Sequence, residues 1–219
     1  MNKLKKRSII TERLRFISGF FAILVLIISC SSFKVQNGIN GGFENNDYGG
    51  EDPDGWFANR LPQTEKYAEL KIENETAHSG NESVSIAISK SHPQRQTIYN
   101  WVRRVDGLKV SEIYELEGWI KTREIKNSPF IEVQCWNNRE NKLIGSASTE
   151  KEYRITGTRN WELVKTIFEI PKETTKVLIL ARVGSYENNG GKVWFDDIQL
   201  KGISKNYYLK NRTPIYPVE

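Results

Sequence analysis

The fold is decided by residues 113–137, which read IYELEGWIKTREIKNSPFIEVQCWN. The first ten and the last eight residues of this stretch alternate apolar or small side chains with polar ones. Alternation with a period of two is typical of a β-strand that buries one face, because successive side chains point to opposite sides of the sheet. No stretch after residue 40 repeats its apolar residues at helical spacing over 11 residues. The sequence therefore predicts two neighbouring strands with one buried face each.

The rest of the chain, on both sides of this stretch, continues the same pattern. Short runs rich in β-branched and aromatic residues are separated by clusters of Gly, Asn, Asp and Ser, which favour turns. Seven further strands are predicted at 67–73, 83–89, 96–105, 142–155, 161–170, 176–184 and 192–201. Many short strands at regular spacing predict an all-β protein, a jelly-roll β-sandwich.

The N-terminus has the composition of an export signal. Six basic residues precede an apolar run at 16–28, which is shorter than the roughly 20 residues of a membrane-spanning helix, so a transmembrane anchor is the weaker alternative. The run ends in Ile27-Ile28-Ser29-Cys30, which resembles the lipobox of bacterial lipoproteins. The resemblance implies cleavage before Cys30 and acylation of its thiol. The alternative is an ordinary cysteine near the end of a signal peptide.

These boundaries divide the chain into four predicted parts. They are a signal peptide at 1–29, a lipidated cysteine and tether at 30–40, a jelly-roll domain at 41–201 and a C-terminal tail at 202–219. About 190 residues are enough for one domain with a sizeable core. Ser31 after the modified cysteine is not an acidic retention residue, which favours an outer membrane of the cell envelope where one is present.

The formal net charge of +5 does not indicate a nucleic-acid partner. Six of the 32 basic residues and one of the 27 acidic residues lie in 1–29, so the rest of the chain has equal numbers of each. The chain has two cysteines, and acylation of Cys30 leaves no partner for a disulfide with Cys135. Cys135 lies in the apolar phase of its strand and is predicted to be a buried hydrophobic residue.

Six short segments, taken in order, resemble the carbohydrate-binding modules of the galactose-binding-like jelly-roll type, close to families four and nine. They are 40–44 (NGGFE), 53–56 (PDGW), 78–83 (HSGNES), 114–122 (YELEGWIKT), 158–162 (TRNWE) and 194–200 (WFDDIQL). The resemblance covers roughly residues 40–201. It implies a non-catalytic domain that binds a glycan or a similar surface ligand from the membrane, beside separately encoded glycan-active enzymes.

The same resemblance implies a structural calcium ion between the first and last strands. Calcium is bound by carboxylate and carbonyl oxygens, and Glu44 and Asp196 lie in the two matching segments. Asp197 is adjacent to Asp196 and should point to the other side of the strand. Solvated strand ends are the alternative interpretation of these acids.

A ligand face is predicted from strand alternation. Sugars are bound by flat aromatic rings together with planar polar side chains. If the strands concerned share one concave sheet, the side chains that line its groove are Trp101, Arg103, Trp119, Gln134, Trp136 and Arg182. The phase of 176–184 is ambiguous, because both of its phases are largely apolar. Burial of the tryptophans for packing is the alternative.

The sequence favours a protein that is not an enzyme. It has no G-x-S-x-G, H-E-x-x-H or P-loop motif, and its two histidines lie in turn-like segments. Glu115 and Glu117 would lie about 7 Å apart on one strand face, a spacing compatible with an inverting glycosidase, which leaves a weak hydrolase as one alternative. A structural or protein-interaction lipoprotein without a sugar site is the other.

Overall fold

The computed structural model describes residues 34–35, 38–47, 49–59, 65–93 and 95–211. The predicted signal peptide and Cys30 lie outside these residues. In this part of the chain the strands are β1 Lys34–Val35, β2 Trp56–Ala58, β3 Ala68–Glu73, β4 Ser83–Ile88, β5 Ile98–Val105, β6 Ile113–Ile125, β7 Phe130–Asn137, β8 Lys142–Ser148, β9 Gly157–Glu169, β10 Lys176–Gly184 and β11 Lys192–Gly202. A 3₁₀ helix covers Glu65–Tyr67 and one α-helix, α1, covers Lys205–Asn211.

The strands form two antiparallel sheets. Sheet A has the order β3-β4-β11-β6-β9, with β1 pairing with β11 as well. Sheet B has the order β2-β5-β10-β7-β8. Apart from the consecutive pairs β3–β4 and β7–β8, neighbours in each sheet come from distant parts of the chain, as in a jelly roll. The prediction of an all-β jelly-roll sandwich is confirmed.

The core lies between the sheets and includes the predicted inward phases of β6 and β7. Leu116 and Ile120 from sheet A and Ile131 from sheet B have no exposed surface. Their burial removes apolar side chains from water, which stabilises the fold by about 1.5–3 kcal/mol for each fully buried Leu or Ile. The side chains of β6 and β7 therefore face the core and the outside in the alternation that the sequence predicts.

The fold begins earlier than the predicted tether allows. Lys34 and Val35 pair with Gly202 and Lys201 of β11. Ile39 is buried, and its carbonyl oxygen accepts a hydrogen bond from the indole Nε1 of Trp56 at 2.9 Å. The prediction that residues 30–40 form a tether is therefore wrong for its second half, because a short pairing and one apolar anchor hold that half on the domain.

Two other predicted boundaries need correction. The strand predicted at 142–155 ends at Ser148, where the chain enters a turn in which the Tyr153 amide donates to the Thr149 carbonyl at 3.1 Å. The tail contains α1, which Tyr207 fixes to sheet A through a hydrogen bond from its hydroxyl to Glu115 Oε2 at 3.2 Å. No helix in the described residues is long and apolar enough to cross a membrane.

Candidate functional site

The outer face of sheet B carries a continuous row of hydrogen-bonded polar side chains, which we call the polar row. Its members are Asn100 of β5, Arg182 of β10, and Glu132, Gln134 and Trp136 of β7. They share this face because the alternate residues of β7 and β10 are buried in the core.

Each member of the polar row is oriented by its neighbour. Arg182 Nε donates to Asn100 Oδ1 at 2.6 Å, and Arg182 Nη1 makes a short ion pair with Glu132 Oε2. Gln134 Nε2 donates to Glu132 Oε1 at 3.3 Å, and Trp136 Nε1 donates to Gln134 Oε1 at 3.1 Å. Side chains held in this way lose little conformational entropy when a ligand binds.

Aromatic rings stand at both ends of the polar row. The ring of Phe130 lies 5.6 Å from the guanidinium carbon of Arg182. At the other end the half-buried ring of Trp136 has the Lys176 ammonium 5.4 Å from its centroid. A partly exposed flat ring such as that of Trp136, beside planar hydrogen-bonding groups, is the combination that sugar rings require, whereas Phe130 is buried. Gln134, Trp136 and Arg182, three of the six predicted groove residues, lie here.

Trp101 does not belong to this face, which corrects the predicted groove. Its side chain is fully buried between the sheets, and its Nε1 donates to the Ser85 carbonyl of sheet A at 3.1 Å. The register of β5 against β10 directs Asn100 outward beside Arg182 and Trp101 inward. Trp101 therefore links the two sheets and is not accessible to a ligand on the outer face.

Arg103 lies in the same inward phase as Trp101 and is also not a groove residue. It holds two loops together by donating to the Gly38 carbonyl at 2.7 Å and to the Asp54 carbonyl at 3.2 Å. Gly55, with a φ of 77°, leaves room for this guanidinium, because a Cβ there would lie 1.0 Å from Arg103 Nη1. Burial lowers the pKa of Arg103 from its ordinary value.

Trp119 lies on the other sheet and on its outer face, so its predicted place in the groove is also wrong. Its ring stacks on the imidazole of His78, with the centroids 3.8 Å apart and the planes at 15°. His78 Nδ1 lies 2.7 Å from Asp197 Oδ2, and Trp161 packs edge-on at 5.9 Å. This cluster fixes the 78–83 turn on sheet A.

The two residues predicted to bind calcium brace that same turn. Glu44 Oε1 accepts the amides of Asn81 and Glu82 at 2.8 and 2.9 Å. Asp196 Oδ2 accepts the amides of His78 and Ser79. Both acids have the ligand chemistry that calcium needs, but Glu44 Oε1 and Asp196 Oδ2 already accept hydrogen bonds from backbone N–H groups.

The surroundings of the two acids leave the calcium prediction untested. The described residues include no group of three or more His, Cys, Asp or Glu side chains that could hold a metal ion. Burial raises the pKa of the Asp196 carboxyl to about 6. Gly80 must be a glycine here, because its φ is +61° and a Cβ would lie 2.2 Å from Glu44 Oε1. Calcium binding stays a prediction.

Glu115 and Glu117 are engaged in ion pairs on the outer face of sheet A. Glu115 accepts from Tyr207 and lies 3.8 Å from Lys165 Nζ, and Glu117 makes a short contact with Lys201 Nζ. Both carboxylates therefore face lysines beside α1, and neither faces the polar row. A glycosidase pair at this position finds no support in these contacts.

Two members of the polar row are absent from the predicted groove. Glu132 was visible in the outward phase of β7 but was not selected, although it is the residue that joins β7 to Arg182. Asn100 was assigned by implication to the inward phase, because the phase of β5 was chosen wrongly. For Glu132 the signal was the alternation of β7, which gives it the same phase as Gln134 and Trp136, whereas nothing in the sequence marked Asn100.

Comparisons with known proteins give a fold and no family. No protein-family model matches the chain, and no curated protein matches it. Among solved structures, the chain is similar to the arabinose-bound GH51 α-L-arabinofuranosidase, with 13% identity over 80% of this chain and 27% of that chain and a TM-score of 0.55. It is similar to a Stig cyclase from Fischerella sp. TAU, with 16% identity over 78% of this chain and 98% of that one and a TM-score of 0.53.

The structural neighbours also include carbohydrate-binding modules. One is the module TmCBM61 in complex with β-1,4-galactotriose, with 18% identity over 74% of this chain and 94% of that chain and a TM-score of 0.46. The chain spans about a fifth of the first solved structure it matches, tailspike protein 4 of bacteriophage CBA120. At these identities the comparisons show the jelly-roll β-sandwich fold alone.

Proposed function

We propose that this protein is a lipoprotein, anchored through Cys30, whose jelly-roll domain binds a glycan on the outer face of sheet B without chemistry. The observation that carries the proposal is the polar row, a set of hydrogen-bonded planar side chains with an aromatic ring at each end. Membership of carbohydrate-binding families four or nine stays a prediction.

The polar row suits sugar hydroxyls because it offers donors and acceptors side by side. Neighbouring hydroxyls of one sugar ring can donate to the Glu132 carboxylate and accept from the Arg182 guanidinium. Trp136 then provides an apolar surface for the C–H face of a second ring. The row is polar yet largely withdrawn from solvent, since the Arg182 and Glu132 side chains are 16% and 9% exposed.

The alternative is a structural or protein-interaction lipoprotein without a sugar site. It predicts that the ligand face is filled by side chains or by the 202–219 tail. Trp136 is half-buried rather than buried, and α1 of the tail lies against sheet A through its contact with Glu115. A cavity of about 690 Å³ opens beside Glu132 and Arg182. These observations favour a face that accepts a ligand.

Binding to immobilised and soluble polysaccharides tests the glycan proposal. We expect retention on at least one glycan, and we expect Trp136→Ala and Arg182→Ala to abolish most of it, because each removes one part of the sugar-binding surface. Trp161→Ala is the matched control, a tryptophan on the outer face of sheet A whose loss should leave binding unchanged. Absence of binding to every glycan tested, or equal retention by all variants, refutes the proposal.

The anchor is supported by sequence alone, and it has a separate test. Cells fed radiolabelled palmitate should label the wild-type chain and not the Cys30→Ser variant, because the acyl chains are attached through that cysteine. The variant should also leave the membrane fraction. Labelling of both chains would refute acylation at Cys30.

A further inference from the structure

The polar row ends in a pocket. Beside Glu132 and Arg182 lies the cavity of about 690 Å³, within the range of 300–1,000 Å³ found for small-molecule sites. Its floor is the outer face of sheet B. Its rim is formed by residues of four loops and strand ends, which are Gln96, Asn127, Ser128, Ser148, Glu150, Lys151 and Tyr186.

Two loops joined by hydrogen bonds form a wall on one side of the pocket, where the sheet ends. Asn188 is fully buried, and its Oδ1 accepts the amides of Lys126 and Asn127 at 2.8 and 2.9 Å. Its Nδ2 donates to the carbonyls of Asn127 and Gly184. Asn127 Nδ2 in turn donates to the Tyr186 carbonyl at 2.9 Å. Hydrogen bonds in both directions make this wall a fixed part of the domain.

A third loop is fastened to the same wall. The Ser185 hydroxyl accepts the Thr97 amide at 2.9 Å and donates to the Arg95 carbonyl at 3.1 Å. The Tyr186 amide donates to Gln96 Oε1 at 3.2 Å. The exposed ring of Tyr186 therefore stands at the pocket's edge on a braced backbone. The wall therefore stands at the end of the polar row, beside Glu132 and Arg182, where a linear polymer lying along the row would meet it.

The charges of the pocket balance. Its lining contains two acids, Glu132 and Glu150, and two bases, Lys151 and Arg182. Glu132 and Arg182 are in direct contact, so the guanidinium has no net attraction to offer a sugar acid or a phosphate. The pocket is suited to hydroxyl groups of an uncharged sugar.

We propose that the pocket binds the terminal residue of a neutral glycan chain, and that the chain runs from there along the polar row toward Trp136. The proposal rests on the proposed function, since it assigns the end of the same face. It distinguishes this domain from one that binds polymers at internal positions, for which both ends of the groove must be open.

The number of protein molecules bound per glycan chain distinguishes chain-end binding from internal binding. Three probes, β-1,4-galactan, arabinan and xylan, are each cut by limited endo-hydrolysis into size fractions and titrated calorimetrically with the protein purified in detergent. Chain-end binding predicts the same number of protein molecules per linear chain at every length. A number that rises in proportion to chain length overturns the chain-end proposal and leaves the proposed function standing. If none of the three glycans binds, the chain-end proposal and the proposed glycan-binding function are both overturned for these glycans.

A matched pair of variants locates the end site. Tyr186 and Phe57 are similarly exposed, at 52% and 48%, and Phe57 lies on β2 at the far edge of the same face. We expect Tyr186→Ala to weaken binding of the shortest fraction about tenfold, the loss of one sugar-stacking ring. Phe57→Ala should bind as wild type. Equal affinities of the two variants, with both folded by circular dichroism, overturn the assignment.

Discussion

Arg182 and Glu132 form a largely buried ion pair. Removing either side chain alone should lower the free energy of unfolding more than removing both. Both side chains are largely buried, and each has only one further hydrogen-bonded partner among those described above, Asn100 for Arg182 and Gln134 for Glu132. Arg182→Met leaves a buried carboxylate without its cation, and Glu132→Leu leaves a buried guanidinium without its anion. The double variant replaces the pair by two apolar side chains of similar volume.

The expected magnitudes follow from the cost of leaving one buried charge uncompensated. Removing one partner of such a pair typically costs about 3–5 kcal/mol, whereas an apolar replacement of both is often close to neutral. We expect each single variant to lower the free energy of unfolding by about 3 kcal/mol, and the double variant by about 1 kcal/mol or less. For a domain of this size, about 3 kcal/mol corresponds to a fall in Tm of roughly 6–12 °C.

Equilibrium unfolding in urea, followed by tryptophan fluorescence, gives the three free energies. Arg104→Met is the control, because Arg104 pairs with Asp106 in solvent, where the two side chains are 61% and 77% exposed. It should cost no more than about 1 kcal/mol. If the two single effects simply add in the double variant, the side chains do not interact as the structure indicates.

Three further predictions address the core, the free thiol and the predicted metal. Trp101→Phe should lower the free energy of unfolding by about 2–4 kcal/mol, since it leaves a cavity and removes the hydrogen bond to Ser85, and a cost below about 1 kcal/mol in urea would contradict its role between the sheets. Burial raises the pKa of Cys135 to about 11, so in the Cys30→Ser variant iodoacetamide should modify Cys135 at pH 8 only after unfolding, and rapid labelling of the folded chain would show that the thiol is exposed. Calcium binding at Glu44 predicts a higher Tm in excess calcium chloride than in EGTA and no such difference in Glu44→Gln, whereas equal melting of the wild type in both buffers would exclude it.

The fold could be predicted because two strands carry a clear alternation. In β6 and β7 one phase is apolar and the other is charged or amide-bearing, so only one orientation keeps charges out of the core. The same patterning made Gln134 and Trp136 identifiable as surface residues. The 202–219 tail gave no such signal, because a seven-residue helix that is held by one tyrosine depends on contacts with sheet A.

The groove could be predicted only in part, because β5 carries large side chains in both phases. Tyr99, Trp101 and Arg103 were as plausible on the surface as Ile98 and Asn100. Strand pairing decides which phase of β5 faces outward. Alignment with β10 places Asn100 opposite Arg182, and the ion pair of Arg182 with Glu132 lies on that outer face. Sequence alternation gives faces within one strand, whereas sheet membership comes from contacts between distant strands. For this reason Trp119 was assigned to the wrong sheet.

The pairing of β1 with β11 has a mechanical consequence for an anchored domain. Only three residues separate Cys30 from Lys34, so under the proposed anchoring a pull on a bound glycan is transmitted through the core to β11 and then to two residue pairs. Those pairs are the smallest pairing in the sandwich and should open first. Their opening frees residues 34–37, up to Gly38, whose carbonyl accepts a hydrogen bond from Arg103, and lengthens the connection by at most about 14 Å. The domain can therefore yield to a moderate force by extending its attachment while the sugar-binding face stays folded.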